Sequence, residues 1–284
     1  MRARGRATGA ELAAATGLSL VTIYKELARL CERGEVKTAA QAPPRGGRPA
    51  RVYECDPGWA RRALLTARRE KNGLLHTALE LMDLRGKLLR REESTWARPE
   101  PTGLAGWIST ALHRHRVASI ALAPGESMGS AEISTLCELL HARYHCPVAP
   151  LCPAEALADP GVNNTATLYL PRGEAPRCSM RRSGHAVGTG ALGLLPLPTA
   201  WETLDYSDHT LVEEMVARLL QTLTCVLAPA GITAHADFWS TRLTERIRYN
   251  TQMKLKGQAP ELHFRLTPPA AAQIALRTMA AFME

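Results

Sequence analysis

The sequence has no stretch of about 18 apolar residues free of charge, the minimum for a helix that crosses a bilayer. A soluble protein with no membrane partner is expected. There is no C-x-x-C pair, and the seven cysteines are scattered from Cys31 to Cys225. An odd number without zinc-finger spacing excludes a disulfide framework and reads as reduced thiols, mostly in the core. The basic start Met-Arg-Ala-Arg-Gly-Arg lacks the apolar core and cleavage site of a signal peptide, which makes the cytoplasm the expected compartment. Apolar residues at 45% and charged residues at 22% leave no room for a fibrous or largely disordered chain. At 284 residues, two domains are expected.

What is present is unevenly spread. The net charge is +8, and residues 1–75 hold 15 Lys and Arg against 7 Asp and Glu, while the remainder holds 20 of each. This pattern suggests a small polyanion-binding module joined to a neutral globular body.

The module has a local grammar of its own. Gly9 to Thr16 reads as a helix, Gly17-Leu18-Ser19 as a turn, and Leu20 to Arg33 as a second helix with Val21, Tyr24, Leu27, Leu30 and Cys31 at helical spacing. Gly17 supplies the positive φ that ends one helix, Ser19 the hydroxyl that caps the next, and Gly34 a stop. Two alternating segments, residues 35–38 and 51–54, flank a Pro/Gly/Arg tip at 43–49. That is a winged helix-turn-helix, expected over residues 1–56. Its second helix would enter the major groove of a DNA operator with Ser19, Leu20, Thr22, Ile23 and Lys25 near base edges and Lys25 and Arg29 at phosphates. The tip Arg45-Gly46-Gly47-Arg48-Pro49-Ala50 is slim enough for Arg48 to enter a narrow A·T-rich minor groove, with Arg45 and Arg51 beside it. Residues 1–8 are too short and too rich in Arg and Gly for the further helix that usually precedes such a module.

Residues 57–284 alternate strand-like and helix-like stretches, as an α/β domain does. A hairpin is expected around Arg85-Gly86, a buried strand over 117–123, a helix over 132–144, and a short strand at Pro147-Val148-Ala149. The longest helix should run from about Ser207 to Leu227 with Leu211, Met215, Leu219, Leu220, Leu223 and Val226 inward, and the last from about Pro269 to Met283.

In order and spacing, Ala14-Ala15-Thr16-Gly17-Leu18-Ser19, Gly47-Arg48-Pro49-Ala50, Asp83-Leu84-Arg85-Gly86, Pro124-Gly125, Cys146-Pro147-Val148 and Leu227-Ala228-Pro229-Ala230-Gly231-Ile232 resemble the ROK (repressor, open reading frame, kinase) regulators. The resemblance covers nearly the whole chain. It implies a winged helix-turn-helix followed by an actin-like, ribonuclease H-like α/β domain with the fold of a sugar kinase.

The chemistry that the resemblance implies is missing from the matching positions. The family's D-x-G-G-T phosphate loop corresponds to Lys71-Asn72-Gly73-Leu74-Leu75, with one glycine left. The segment that carries the catalytic Asp corresponds to Cys152-Pro153-Ala154-Glu155, where Pro153 cannot accept a proton. The sugar-gripping G-E-x-G-H corresponds to Gly190-Ala191-Leu192-Gly193-Leu194, and the glycine pair facing the nucleotide to His235-Ala236-Asp237. The family's cysteine-rich zinc segment has no counterpart, since Cys178 stands alone. A degenerate, shortened kinase-like domain with no catalytic residues, cofactor or metal is therefore expected. Glu155 is the residue that an alternative, an ATP-dependent sugar kinase with a displaced base, would use.

Three other groupings have a functional and a plain structural reading. His141, His145, Cys146 and Cys152 suggest metal binding, but their spacing fits a polar helix end and two core thiols better. His113, Arg114, His115 and Arg116 complement a helix C-terminus. Arg177, Arg181, Arg182 and His185, expected in a loop, form with Gly190 and Gly193 a candidate effector pocket for a phosphorylated or carboxylated molecule, or else an exposed basic loop. Taken together, the sequence reads as a DNA-binding regulator, a repressor by expectation, whose kinase-like body serves either oligomerisation, as a homodimer or a higher homo-oligomer, or the sensing of a small-molecule effector.

Overall fold

A computed structural model describes residues 6–39, 50–70, 72–124, 127–159, 161–182, 185–191, 201–256 and 258–281. The first unit runs β1 (Arg6–Thr8), α1 (Gly9–Thr16), α2 (Leu20–Glu32), β2 (Val36–Thr38), β3 (Val52–Cys55), with the antiparallel order β1-β3-β2. Residues 6–8, which pattern alone left unassigned, form a strand because Arg6 lies opposite Glu54 and donates to it at 2.7 Å. Thr8 and Glu11 then cap α1 reciprocally. As expected, Gly17 ends α1 at φ 71° and the Ser19 hydroxyl caps α2. Ile23, Leu27, Val36 and Tyr53 form the small core.

Beyond it, two lobes repeat one order: three strands, helix, strand, helix, strand, helix. Lobe one has β4 (Arg61–Arg69), β5 (Leu75–Met82), β6 (Leu88–Trp96), α3 (Pro101–Ala111), β7 (Val117–Ala123), α4 (Ser130–Tyr144), β8 (Val148–Pro150) and α5 (Pro153–Ala156). Lobe two has β9 (Thr165–Leu170), β10 (Arg177–Arg182), β11 (His185–Ala191), α6 (His209–Leu227), β12 (Gly231–Ala236), α7 (Thr241–Lys254), β13 (Glu261–Leu266) and α8 (Pro269–Ala281). The sheet orders are β6-β5-β4-β7-β8 and β11-β10-β9-β12-β13. In each, the first three strands are antiparallel neighbours and the last two join the first in parallel through helical crossovers.

One face of each sheet is buried by its own helices, α3 and α4 in lobe one and α6 and α7 in lobe two. The last helix of each lobe crosses over. Leu276 and Ala280 of α8 pack on Leu64, Met82 and Ala121 of lobe one, while Ala154 of α5 packs against Tyr169 of lobe two. The crossing of α8 is locked by Glu80, fully buried on β5, which accepts from Arg277 Nε at 2.6 Å and Gln273 Nε2 at 3.0 Å. Burial works to raise the Glu80 pKa, but the Arg277 and Gln273 hydrogen bonds outweigh it and hold the carboxyl below its usual range.

The structure corrects several expectations. Leu211 and Val226 are 40% and 58% exposed; Met215, Leu219, Leu220 and Leu223 are buried as expected, and Val212 and Val216 join them. Leu211 falls in the first turn, where Asp208 accepts the free N–H groups of Thr210 and Leu211. Residues 177–182 are a strand rather than a loop, paired on both sides by β9 and β11. The charge excess also divides differently: Arg61, Arg62, Arg68 and Arg69 stand on β4 of lobe one, and Arg62 is buried there with its guanidinium donating to the Ala280 carbonyl. Of the thiols, Cys146, Cys152 and Cys178 are buried, whereas Cys225 is exposed.

Candidate nucleic-acid interface and interlobe cleft

Because Ile23 and Leu27 point into the module's core, the opposite side of α2 faces out. Thr22, Lys25 and Arg29 are exposed there, and Leu20 is 48% exposed. Ile23, expected among the DNA contacts, is 7% exposed and belongs to the module's core instead, where it holds the helix in place. Val21, read from spacing as inward, is 80% exposed, and Tyr24 is 47% exposed. The signal for this was available, since Val21 stands two residues from Ile23 and so almost opposite it on a helix of 3.6 residues per turn. The Ser19 hydroxyl accepts from Thr22 N at 3.2 Å and lies 2.9 Å from Thr22 Oγ1, so it is engaged in the cap. Arg29 lies 3.8 Å from Glu26 across one turn, an exposed and weak pairing. Arg51 is exposed beside β3, whereas Arg45 and Arg48 lie outside the described residues.

The module is fastened to lobe one. Trp59 Nε1 donates to the Arg33 carbonyl at 3.1 Å, the Arg116 guanidinium lies 4.2 Å from the Trp59 ring centre, and Arg85 reaches Glu54 at 3.7 Å. Glu54 also accepts from Arg6, and that hydrogen bond, with Lys37 behind it, keeps its carboxyl below the usual range. An apolar cavity of about 320 Å³ lies at this junction, among Leu12, Leu27, Leu30, Trp59 and Leu84.

Between the lobes lies a cleft of about 360 Å³, lined by Arg68, His76 and Arg91 of lobe one, Tyr169 and Arg177 of lobe two, and Gln273 of α8. Its one lining carboxylate among the described residues, Glu174, faces Arg177 at 3.6 Å. Pro153 lines it and Glu155 does not. Burial pushes the Glu155 carboxyl up, opposed by Arg181. In the β4–β5 turn, which the resemblance matches to a phosphate loop, Asn72 Oδ1 accepts from Leu74 N at 3.0 Å, and Arg69 donates to the Gly73 and Ser127 carbonyls, each at 2.9 Å. At the end of β12, His235 Nδ1 lies 2.9 Å from Thr267 Oγ1, and Asp237 accepts from Arg172 at 3.1 Å.

Two arginines of the expected effector pocket lie on opposite faces of β10. Strand alternation puts Arg177 on the cleft side, where it is 5% exposed, and sends Arg182 to the other side, where it donates to the Leu227 carbonyl at 2.9 Å. The His185 and Gly190 backbones lie on β11, and Gly193 lies outside the described residues. His141 Nδ1 lies 2.9 Å from the Cys146 carbonyl and His145 ends α4 at φ 50°, so both serve the helix end. No group of three or more metal-ligating side chains occurs among the described residues, nor does a helix long and apolar enough to cross a membrane.

No family model matches the chain, and no curated sequence does. Solved structures do. A ROK family transcriptional regulator, a homologue of the E. coli MLC protein, superposes with TM-score 0.61 at 14% identity, over 97% of this chain and 92% of its own. A Listeria monocytogenes protein assigned as an N-acetylmannosamine kinase matches with TM-score 0.51 at 11% identity, over 77% of this chain and 98% of its own. The glucokinase of Balamuthia mandrillaris, solved with glucose, gives 0.50 at 10% identity, over 78% and 93%. At such identities the likeness is one of fold, and the chain has the actin-like α/β fold of these ROK regulator and kinase structures, preceded by a winged helix-turn-helix.

Proposed function

We propose that this chain is a DNA-binding transcriptional repressor of the cytoplasm, with residues 1–56 as the DNA-binding domain and residues 57–284 as a catalytically silent, kinase-like body that dimerises and senses an effector. The observation that carries the reading is the outward face of α2. It presents Leu20, Thr22, Lys25 and Arg29 on a helix pinned from behind by Ile23 and Leu27 and from below by the Ser19 cap, with Arg51 at the foot of the wing. The likeness to a regulator over 97% of the chain, against 77% for a kinase, supports it.

Arg48 and Arg45 in the wing take the minor groove. A two-fold dimer sets its recognition helices about 34–36 Å apart on a near-palindromic operator. The effector enters the interlobe cleft and meets Arg177 there, while Arg182 stands on the opposite face of β10. Phosphoryl transfer depends on a phosphate cradle and a positioned base; the resemblance puts the tied β4–β5 turn and Pro153, which lines the cleft, at those two positions.

Selection of genomic fragments by the full chain tests the reading. The expected outcome is a preferred duplex whose affinity falls steeply with salt, by about 0.9 units of log–log slope per phosphate contact. Absence of any preferred fragment at moderate salt refutes it. The kinase alternative gains the lead if the chain phosphorylates any hexose or amino sugar and Glu155→Gln abolishes the turnover.

A further inference from the structure

Exposed apolar side chains are common singly, but four of them crowd the start of α2. Leu18, Leu20, Val21 and Tyr24 are 49%, 48%, 80% and 47% exposed, around the Ser19 cap. They are not strays from the module's core, which is complete on the other side with Ile23, Leu27, Val36 and Tyr53. Tyr24 has a local use: its ring lies so close over Gly9 that a Cβ there would meet it at 2.8 Å. Among the described residues, no core cluster takes up Leu18, Leu20 or Val21. A β-branched residue on an exposed helix face also costs helix stability relative to Ala.

The polar side chains of the same turn are engaged. The Ser19 and Thr22 hydroxyls face one another at 2.9 Å, and Ser19 accepts the Thr22 N–H. The first turn of α2 therefore meets its partner mainly through methyl groups. One and two turns further on, at helical spacing from Val21, stand Lys25 and Arg29, both exposed cations. The partner must carry negative charge beside a small apolar feature. Duplex DNA offers this in its major groove, where the thymine C5-methyl is the apolar group among the base edges and phosphates flank it.

We propose that Val21, with Leu20 beside it, selects thymine by contact with its methyl group at the base pairs facing the first turn of α2. The inference rests on the DNA-binding reading above. It names the readout as apolar at this turn, where hydrogen bonding by Ser19 would otherwise be expected.

The test uses the full chain and the duplex it selects, with each thymine replaced in turn by deoxyuridine, which deletes the methyl and nothing else. Wild type is expected to bind about four-fold more weakly when one or two particular thymines are replaced. Val21→Ser is expected to bind the thymine duplex more weakly and to lose that discrimination, while its thermal melt stays at the wild-type value because the position is exposed. If the chain binds its duplex selectively but no thymine replacement matters, the inference fails and the DNA-binding reading stands. If no duplex is selected, the reading beneath it fails. If Val21→Ser turns a dimer into a monomer in sedimentation while discrimination persists, a second copy covers the patch and the inference is overturned.

Discussion

Lobe one and lobe two share an order of elements and a sheet topology, but the helix that ends lobe two has 13 residues and the helix that ends lobe one has 4. Each crosses to the other lobe, so the shorter helix leaves lobe two with less cover. Over lobe one, α8 adds an apolar layer of Leu276 and Ala280 and a buried ionic lock through Arg277. Over lobe two, α5 supplies little more than Ala154. The β12–β13 side of that sheet is left as a polar groove of about 310 Å³ lined by Thr167, Thr233, His235 and Arg265. The difference teaches that topology and coverage are separate properties: hydrogen-bonded strand order survives intact while the length of a single helix decides which face is dry.

The largest effect should come from the lock. Arg277→Met leaves the buried Glu80 carboxylate with only Arg91 at 3.4 Å and Gln273, and should cost about 3 kcal/mol in chemical denaturation at neutral pH. Adding Glu80→Gln should recover part of the loss; a deficit below about 1 kcal/mol for the single change would mean that α8 does not depend on the lock.

Apolar cover should rank next. Leu276→Ala, at a position 4% exposed, should lose roughly 2–4 kcal/mol, whereas Ala154→Gly in α5 should lose only about 1 kcal/mol. Equal losses would erase the contrast between the two crossing helices.

Acid should separate the lobes. Burial, then the Arg265 charge, lowers the His235 pKa to about 4, so the unfolded chain, with its ordinary value near ~6.5, takes up the proton first. The stability present above the unfolded value is lost as pH falls from ~6.5 through about 4. Glu80 in lobe one is depressed below the ordinary carboxylate range, so its stabilisation is full above that range and is lost only as the pH falls from there through the lower value. Hydrogen exchange, corrected for its intrinsic pH dependence, should therefore show lobe two opening at a pH where lobe one is still closed. The reverse order would refute the assignment. The smallest effect belongs to the groove itself, where Thr233→Val should change stability by no more than about 0.5 kcal/mol in calorimetry; a larger change would mean that something covers this face.

Much of the molecule could be read locally. The turn at Gly17, the cap at Ser19, the hairpin at Arg85-Gly86 and the strand 117–123 are written in short-range chemistry, and each is found where expected. Helix faces were read less well. Val21, Leu211 and Val226 fit an apolar spacing yet stand outside, because periodicity counts apolar residues without knowing which side another element will cover. The basic residues at 177–182 hide their strand for a related reason: charged residues suggest a loop, but Arg177 sits in a buried strand because Glu174 and the cleft receive it.

The sequence by itself determined the helix-turn-helix and the α/β alternation, since each depends on the conformational nature of one or a few adjacent residues. Only the tertiary structure decided that Ile23 is core while Val21 faces out, that α8 crosses back to meet Glu80 nearly two hundred positions earlier, and that among the described residues lobe two carries a polar groove. Those outcomes depend on which surfaces meet, and burial of a side chain is a property of its neighbours in space, which the chain acquires only on folding.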